Sequence, residues 1–396
     1  MRLLPGWADS HQPLIQAPGG PTSTHRALGA HAALIEAVVR SGGLRFDALW
    51  ELALYEPGIG FYETGGAAGR RADFLTSVEL GPLFGACIAR RVDQAWNAAG
   101  RPDTWTLVDA GAGPGTLVRA VLAAQPECVG ALEVVLVERS ARQRAGHADL
   151  IGWAADREVA VRSQAGLPEG VAGVIVANEL LDNLPARVVQ RHGGQVQELW
   201  VAPGGVAPAF ERPGIPAAGS ELELTWRPMV GDDAAALAAC EWWDNVPDDA
   251  PVPWSAGAAE WVAEAQRRLA SGILVVVDYG ARTSAEVAGR DGWLRTYAQG
   301  AVGTDPLENL GGRDLTTDVP FDQLPQPDRL VTQADALVCW GIDQLVAAAS
   351  ARLAARPDAA LDLARARDIS LLNEAPTLVD SAGLGAFLVA EWGAGG

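Results

Sequence analysis

The stretch "TLVDAGAGPGTL", residues 106–117, constrains the fold of this chain more than any other part of it. It is a short apolar strand pattern that runs into Asp109 and then into Gly111, Gly113 and Gly115. Glycine lets a backbone turn tightly and approach a ligand without a Cβ clash. The helix that follows such a turn begins with free N–H groups. Around this turn the pattern alternates: "WTLVDA" reads as strand, about 115–125 as helix, "LEVVLVE" as strand, "ARQRAGHADLIG" as helix, 158–162 and "GVIVAN" as strands. That order predicts an α/β fold, a parallel sheet with helices on both faces. The sheet is expected to continue with "ARVVQ" and, much later, with "GILVVVDYG" at 272–280.

A glycine-rich turn of this kind can face a dinucleotide or S-adenosylmethionine. A dinucleotide fingerprint is G-x-G-x-x-G, which would place the third glycine at 116. That position is Thr116, and the third glycine comes one residue early. A dinucleotide also brings an anionic pyrophosphate to the helix end. Asp109 would repel it, whereas a carboxylate there suits the cationic amino-acid moiety of S-adenosylmethionine. Glu138 closes the second strand, 27 residues beyond Gly111, and can accept ribose hydroxyls in either cofactor class. The plain alternative is an ordinary strand-to-helix turn in a protein with 45 Gly.

A second constellation is "VIVANELLDNLPARVV", in which an apolar strand ends in Asn178, Glu179 and Asp182. In an open parallel sheet the ligand crevice lies beyond the carboxyl ends of the strands. Two carboxylates there can orient a cationic nucleophile and take its departing proton. Helix capping by Asn178 or Asp182 is the equal alternative, and Asp278, at the end of its own strand, has the same ambiguity. Tyr62 and Tyr279 offer faces or hydroxyls to a cationic group, or serve as packing. The five histidines, His11, His25, His31, His147 and His192, show no ligand spacing, so no metal is assigned.

The bulk numbers fit a globular rather than a disordered chain. The 396 residues include 30 Lys plus Arg and 49 Asp plus Glu, a formal charge of −19. Such a balance argues against a nucleic acid or an anionic membrane surface as main partner. Four scattered cysteines form no C-x-x-C pair, which fits a reducing, cytoplasmic setting. No apolar run approaches the roughly 18–20 residues of a membrane span.

Longer motifs complete the reading. "ALYEPGIGFY" (53–62), "DFLTSVELGPLFG" (73–85), "LVDAGAGPGTL" (107–117), "NELLDNLP" (178–185), "VVDYG" (276–280), "GGRDLTTDV" (311–319), "TQADALVCWGI" (332–342) and "GLGAFLVAEW" (383–392) stand in this order. In that order they resemble the MidA-type methyltransferases, the relatives of a mitochondrial complex I assembly factor that methylates a protein arginine. The resemblance implies a Rossmann-like class I methyltransferase sheet, an N-terminal helical segment and an inserted subdomain, with S-adenosylmethionine as cofactor. Expected bounds are a mobile lead-in at 1–24, the helical segment at 25–100, the core at 101–190 and 270–396, and a substrate-facing insertion at 191–269. By motif, Gly111, Gly113, Gly115, Glu138, Thr76 and Ser77 would line the cofactor with Asp109 and Asn178. Glu179 and Asp182 would face the transfer site. The chain departs from the family pattern at Ala72, Val78, Trp293 and Gly300, which leaves the acceptor open. A protein arginine, a small molecule, and a non-catalytic assembly role are the three alternatives. No nucleic-acid or membrane partner is expected, and a homodimer stays open.

Overall fold

The computed structural model describes residues 23–65, 76–204, 222–298, 301–355 and 362–394. The expected lead-in lies outside these residues except for its last two, as do Ala72 and Gly300. Seven strands form one sheet: β1 (Trp105–Ala110), β2 (Leu132–Val137), β3 (Ala160–Gln164), β4 (Val171–Asn178), β5 (Leu269–Asp278), β6 (Arg329–Thr332) and β7 (Leu388–Gly393). Their order is β6-β7-β5-β4-β1-β2-β3. β1 to β5 run parallel. β7 is antiparallel to β5, and β6 to β7.

Both faces of this sheet are covered, which is why its strands read as nearly continuous apolar runs. On one face Leu107, Leu136, Val176 and Val277 pack with Phe84, Ile88 and Val92 of helix Pro82–Ala98 and with Val118 and Val121 of helix Thr116–Ala123. On the other, Val108, Val135, Ile175 and Val276 meet Ala258, Val262 and Ala265 of helix Ala256–Arg268. Chain order reverses between β1 and β4, since β2 and β3 lie to one side and β5 to the other. In open α/β sheets this is where a crevice opens beyond the carboxyl ends.

"ARVVQ" does not extend the parallel sheet. Arg187–His192 pairs antiparallel with Gln195–Pro203 and with Val252–Trp254. The parallel slot on β4 is taken by β5. After β4 the chain turns at Leu181–Asn183 and leaves through Pro185, which has no N–H to donate to a ladder. The nearest partner is then the strand just two residues away. Gly193 and Gly194 supply left-handed φ of 56° and 76° for that tight hairpin.

The resulting second sheet also takes in Leu222–Pro228 and the short N-terminal strand Leu44–Arg45. Its core is shared with the N-terminal helices. Leu34 and Val38 from helix Ser23–Ser41, and Phe46, Leu49 and Trp50 from Phe46–Tyr55, pack with Val188, Leu199, Val201 and Leu222. Trp242 and Trp243 are buried in an adjoining cluster. Trp50 is fully buried. Trp50→Ala is therefore expected to cost about 3–5 kcal/mol in denaturant unfolding of the full chain. A loss no larger than that of a surface substitution would contradict the shared core.

Candidate active site

The glycine turn follows β1 directly. Gly111, Gly113 and Gly115 have φ of +74°, +50° and +80°, a region that side chains with a Cβ seldom occupy. The N–H groups of Gly111 and Ala112 both donate to the Val137 carbonyl (2.9 and 3.0 Å), which ties the turn to the end of β2. A Cβ on Gly111 would stand 2.9 Å from Leu180 Cδ1, and one on Gly115 2.5 Å from Leu150 Cδ2. One on Gly113 would meet nothing within 4 Å. Gly113 therefore borders open space, while its neighbours are packed.

Glu138 stands against this turn. Its Oε2 accepts the Gly113 N–H (3.0 Å) and its Oε1 the Ser140 N–H (2.8 Å). Burial raises its carboxyl above the usual range, and the two N–H groups restrain that rise. Each oxygen keeps a second lone pair for an incoming hydroxyl. The other side of Gly113 is held by His147, fully buried, whose Nε2 lies 2.7 Å from the Gly113 carbonyl and whose Nδ1 lies 2.8 Å from Ser163 Oγ. Residue spacing pointed to no role for His147, because only the packing of its loop beside β3 brings it here.

Asp109 is 3% exposed, and among the described residues its Oδ2 has no hydrogen-bond partner. Burial, and secondarily the nearby Glu138, push its carboxyl up to about 7. A buried carboxylate without a partner is costly. An ammonium-bearing ligand would satisfy it, so the residues present fit S-adenosylmethionine: a vacant buried acceptor, an open glycine backbone and a carboxylate with spare lone pairs. Thr76 and Ser77 are buried at the start of the short helix Ser77–Leu80. Ser77 Oγ donates to Gln333 Oε1 (3.0 Å), and Gln333 Nε2 donates to the Leu378 carbonyl (3.1 Å).

At the end of β4, Glu179 has φ +50°, uncommon for a residue with a side chain, and its N–H donates to the Val277 carbonyl (2.8 Å). Its Oε1 accepts the Asn178 amide (3.2 Å) and the Ser77 N–H (3.3 Å). Burial, then Asp182, push the Glu179 carboxyl up to about 8. Asp182 is 1% exposed. Its Oδ2 accepts the Tyr279 hydroxyl, and its Oδ1 is unpartnered. Burial lifts it to about 6, with the Tyr279 hydroxyl and Arg295 holding it down.

The capping question resolves in favour of Asp278. Neither Asn178 nor Asp182 caps the turn Leu181–Asn183. Asp278 Oδ2 accepts the Leu181 N–H (2.8 Å) and Asp182 N–H (3.4 Å), and its Oδ1 the Tyr279 N–H (2.9 Å). Tyr62 also does more than pack: its hydroxyl lies 2.9 Å from Asp314 Oδ2 and 3.0 Å from Asn183 Oδ1. Asp314 Oδ1 accepts the Asn183 amide (3.0 Å). Burial pushes Asp278 and Asp314 well above the usual carboxylate range.

A cavity of about 430 Å³ opens beside Glu179, with Tyr279, Arg290, Arg295, Asp318 and Phe387 in its lining. Asp182 is not in the lining; it lies behind Tyr279. Trp293 is absent from it too and packs into the cores around the second sheet.

Fold and site together show an α/β protein with an open glycine backbone after β1 and a group of buried carboxylates at the neighbouring strand ends. Residues 87–339 match the family described as "Putative S-adenosyl-L-methionine-dependent methyltransferase". A Burkholderia thailandensis protein crystallised with S-adenosyl-homocysteine is 28% identical, with a TM-score of 0.74 over 95% of each chain. The protein arginine methyltransferase NDUFAF7 homologue of Drosophila melanogaster, a mitochondrial protein, is 24% identical over 76% of this chain and 71% of its own length. The mouse protein arginine methyltransferase NDUFAF7 is 25% identical over 68% and 63%. The chain belongs to this MidA-type family and is an S-adenosylmethionine-dependent methyltransferase.

Asp109 makes a pH-dependent prediction. Its carboxyl is raised in the folded state, so the folded state holds the proton more tightly than the unfolded chain. The stability this confers is fully present below the ordinary 3.8 and is lost as pH rises through about 7. Ligand-free Asp109→Asn is expected to gain on the wild type in denaturant midpoint between about pH 5 and about pH 8. A difference that stays constant over that range contradicts the assignment.

Proposed function

We propose that the protein methylates an arginine side chain of a protein. The observation that carries this reading is the carboxylate pair at the end of β4. Glu179 faces the cavity, and Asp182 is one residue-layer behind it, reaching the cavity through the Tyr279 hydroxyl. A guanidinium is always protonated and suits a site built of carboxylates and aromatic faces. The named activities of the fly and mouse relatives support the same choice.

In this reading the seven-stranded sheet is the Rossmann-like core of a class I methyltransferase, and its strand order and two covered faces support that. The second sheet is the acceptor-facing unit. It leaves β4 just after the carboxylates, and Tyr55 and Tyr62, packed on its core, reach Asn183 through their hydroxyls. Gly111, Gly113 and Gly115 shape the donor pocket, Glu138 takes the ribose hydroxyls and Asp109 the ammonium. Thr76, Ser77 and Asn178 hold the wall between donor and acceptor, through the Ser77 N–H and Asn178 amide on Glu179. S-adenosylmethionine, when bound, supplies an electrophilic methyl group on a sulfonium.

The protein's own work is alignment, exclusion of water and removal of one proton. Glu179 orients the guanidinium with its ionised carboxylate. Its raised basicity lets it accept the proton that the guanidinium loses on methylation. Tyr279 and Asp182 fix the neighbouring wall, with Asp182 as a positioning residue. A small-molecule acceptor is the second reading, and the cavity volume favours it, since about 430 Å³ falls within the usual range for small-ligand pockets.

Methyl label from radioactive donor, recovered as methylarginine after hydrolysis of protein, supports the first reading; label confined to the small-molecule fraction supports the second. Glu179→Gln keeps an oxygen for the Ser77 N–H but cannot take a proton. It is expected to cut turnover by about a hundredfold or more while S-adenosyl-homocysteine affinity, by calorimetry, stays near normal. Wild-type kcat/KM should climb with pH to a plateau above about 8, and the variant should lose that limb. Unchanged turnover in the variant removes Glu179 from the mechanism.

A further inference from the structure

The cavity beside Glu179 has a second chemical character that methyl transfer to a guanidinium does not use. The segment after β5 sends two arginines into its wall, Arg290 and Arg295, and both lean on the single carboxylate of Asp318. Arg290 Nη1 donates to Asp318 Oδ2 (3.2 Å) and to the Gly280 carbonyl (2.9 Å). Arg295 Nη2 donates to Asp318 Oδ1. Asp318 is itself held from behind, its N–H donating to the Trp293 carbonyl (2.8 Å).

Two guanidinia and one carboxylate leave this wall with one net positive charge. Among the described residues, Arg290 Nε and Nη2 and Arg295 Nε and Nη1 make no hydrogen bond, and Arg295 Nε is buried. Arg295 is also fixed in orientation, its Cζ 4.8 Å from the Tyr279 ring centre. A stacked guanidinium keeps its N–H edges in one plane, the arrangement that binds a carboxylate through two parallel hydrogen bonds. In a chain of net charge −19, an arginine pair that keeps spare N–H groups after its contacts with Asp318 calls for an anionic ligand.

We infer that this arginine pair is a carboxylate subsite: the acceptor carries a carboxylate beside the methylated group, read by Arg290 and Arg295 while Glu179 reads the cation. This rests on the reading of the Glu179 side as the acceptor site. In a protein acceptor the carboxylate belongs to an acidic side chain next to the target arginine, or to a chain terminus. Arg290 is the discriminating residue. Its side chain is 47% exposed, so Arg290→Gln removes the charge without opening the core.

Calorimetry on the S-adenosyl-homocysteine-loaded protein tests this with short peptides. The set is acetyl-Asp-Arg-Ala-amide, acetyl-Ala-Arg-Ala-amide, acetyl-Ala-Arg-Ala with a free terminal carboxylate, and acetyl-Asp-Ala-Ala-amide. At least one carboxylate-bearing arginine peptide is expected to bind about tenfold more tightly than the neutral amide. Which one it is separates a side-chain carboxylate from a terminal one. Arg290→Gln should bring that peptide down to the level of the neutral one and leave the neutral one unchanged. Equal affinities across the arginine peptides, no binding of any peptide, or a preference that survives both Arg290→Gln and Arg295→Gln would overturn the subsite. If acetyl-Asp-Ala-Ala-amide binds as well as its arginine counterpart, and Arg290→Gln abolishes both, the subsite stands and the arginine reading falls.

Discussion

Burying a cluster of carboxylates at and beside the carboxyl ends of the parallel strands is the constraint on which the rest of this structure depends. Asp109, Asp182, Asp278 and Asp314 are each at most 3% exposed, and among the described residues no arginine stands in salt-bridge contact with any of them. An isolated buried charge is too costly to keep. The surrounding groups show how the cost is met. Backbone N–H groups of the turn after β4 meet Asp278, tyrosine hydroxyls meet Asp182 and Asp314, and the Asn183 amide meets Asp314. Burial still displaces all four carboxyls upward in pKa. Two of these carboxylate oxygens, Asp109 Oδ2 and Asp182 Oδ1, have no hydrogen-bond partner among the described residues. A site that holds its charge in reserve in this way is suited to cationic ligands, which under the proposed function are a donor with an ammonium and sulfonium and an acceptor with a guanidinium.

The same constraint explains why the N-terminal helices belong with the second sheet rather than standing apart. Tyr55 and Tyr62 stack on each other and extend from that shared core to the turn after β4. Ser140, next to Glu138, donates its hydroxyl to the Tyr62 carbonyl (3.3 Å). One short helix, Phe61–Thr64, thus touches both the segment after β2 and the turn after β4. The Glu138 strand end and the turn after β4 are joined through a segment that is neither in the main sheet nor in its crossovers.

Much of the candidate donor site was legible in the sequence because its determinants are local. Asp109, the three glycines and the strand before them fall within a dozen residues, and each glycine is required by its own backbone conformation. The β-α alternation was legible for the same reason. The partners that complete the site were not. His147 reaches Gly113 across 34 residues, Tyr279 reaches Asp182 across 97, and Ser77 reaches Gln333 across 256. These contacts depend on register and on crossover packing, which no local pattern records. The strand "ARVVQ" shows the limit most plainly. Its apolar alternation is that of a strand, but the pattern does not say which sheet, and the occupied edge of β4 sent it to a hairpin. Capping is a similar case, since Asn178 and Asp182 looked like caps by position while the oxygens that do the capping come from Asp278, on a strand nearly a hundred residues away.

The central claim is that the unsatisfied carboxylate of Asp109 and the open backbone at Gly113 are the donor's place, with Glu179 on the acceptor side of it. A crystal structure of this protein with S-adenosyl-homocysteine bound tests it most directly. The account predicts the ligand's ammonium within hydrogen-bond distance of Asp109, its ribose hydroxyls on Glu138, and its sulfur turned toward Glu179 and the cavity. A ligand seated elsewhere, or one that leaves Asp109 Oδ2 without a partner, would contradict it.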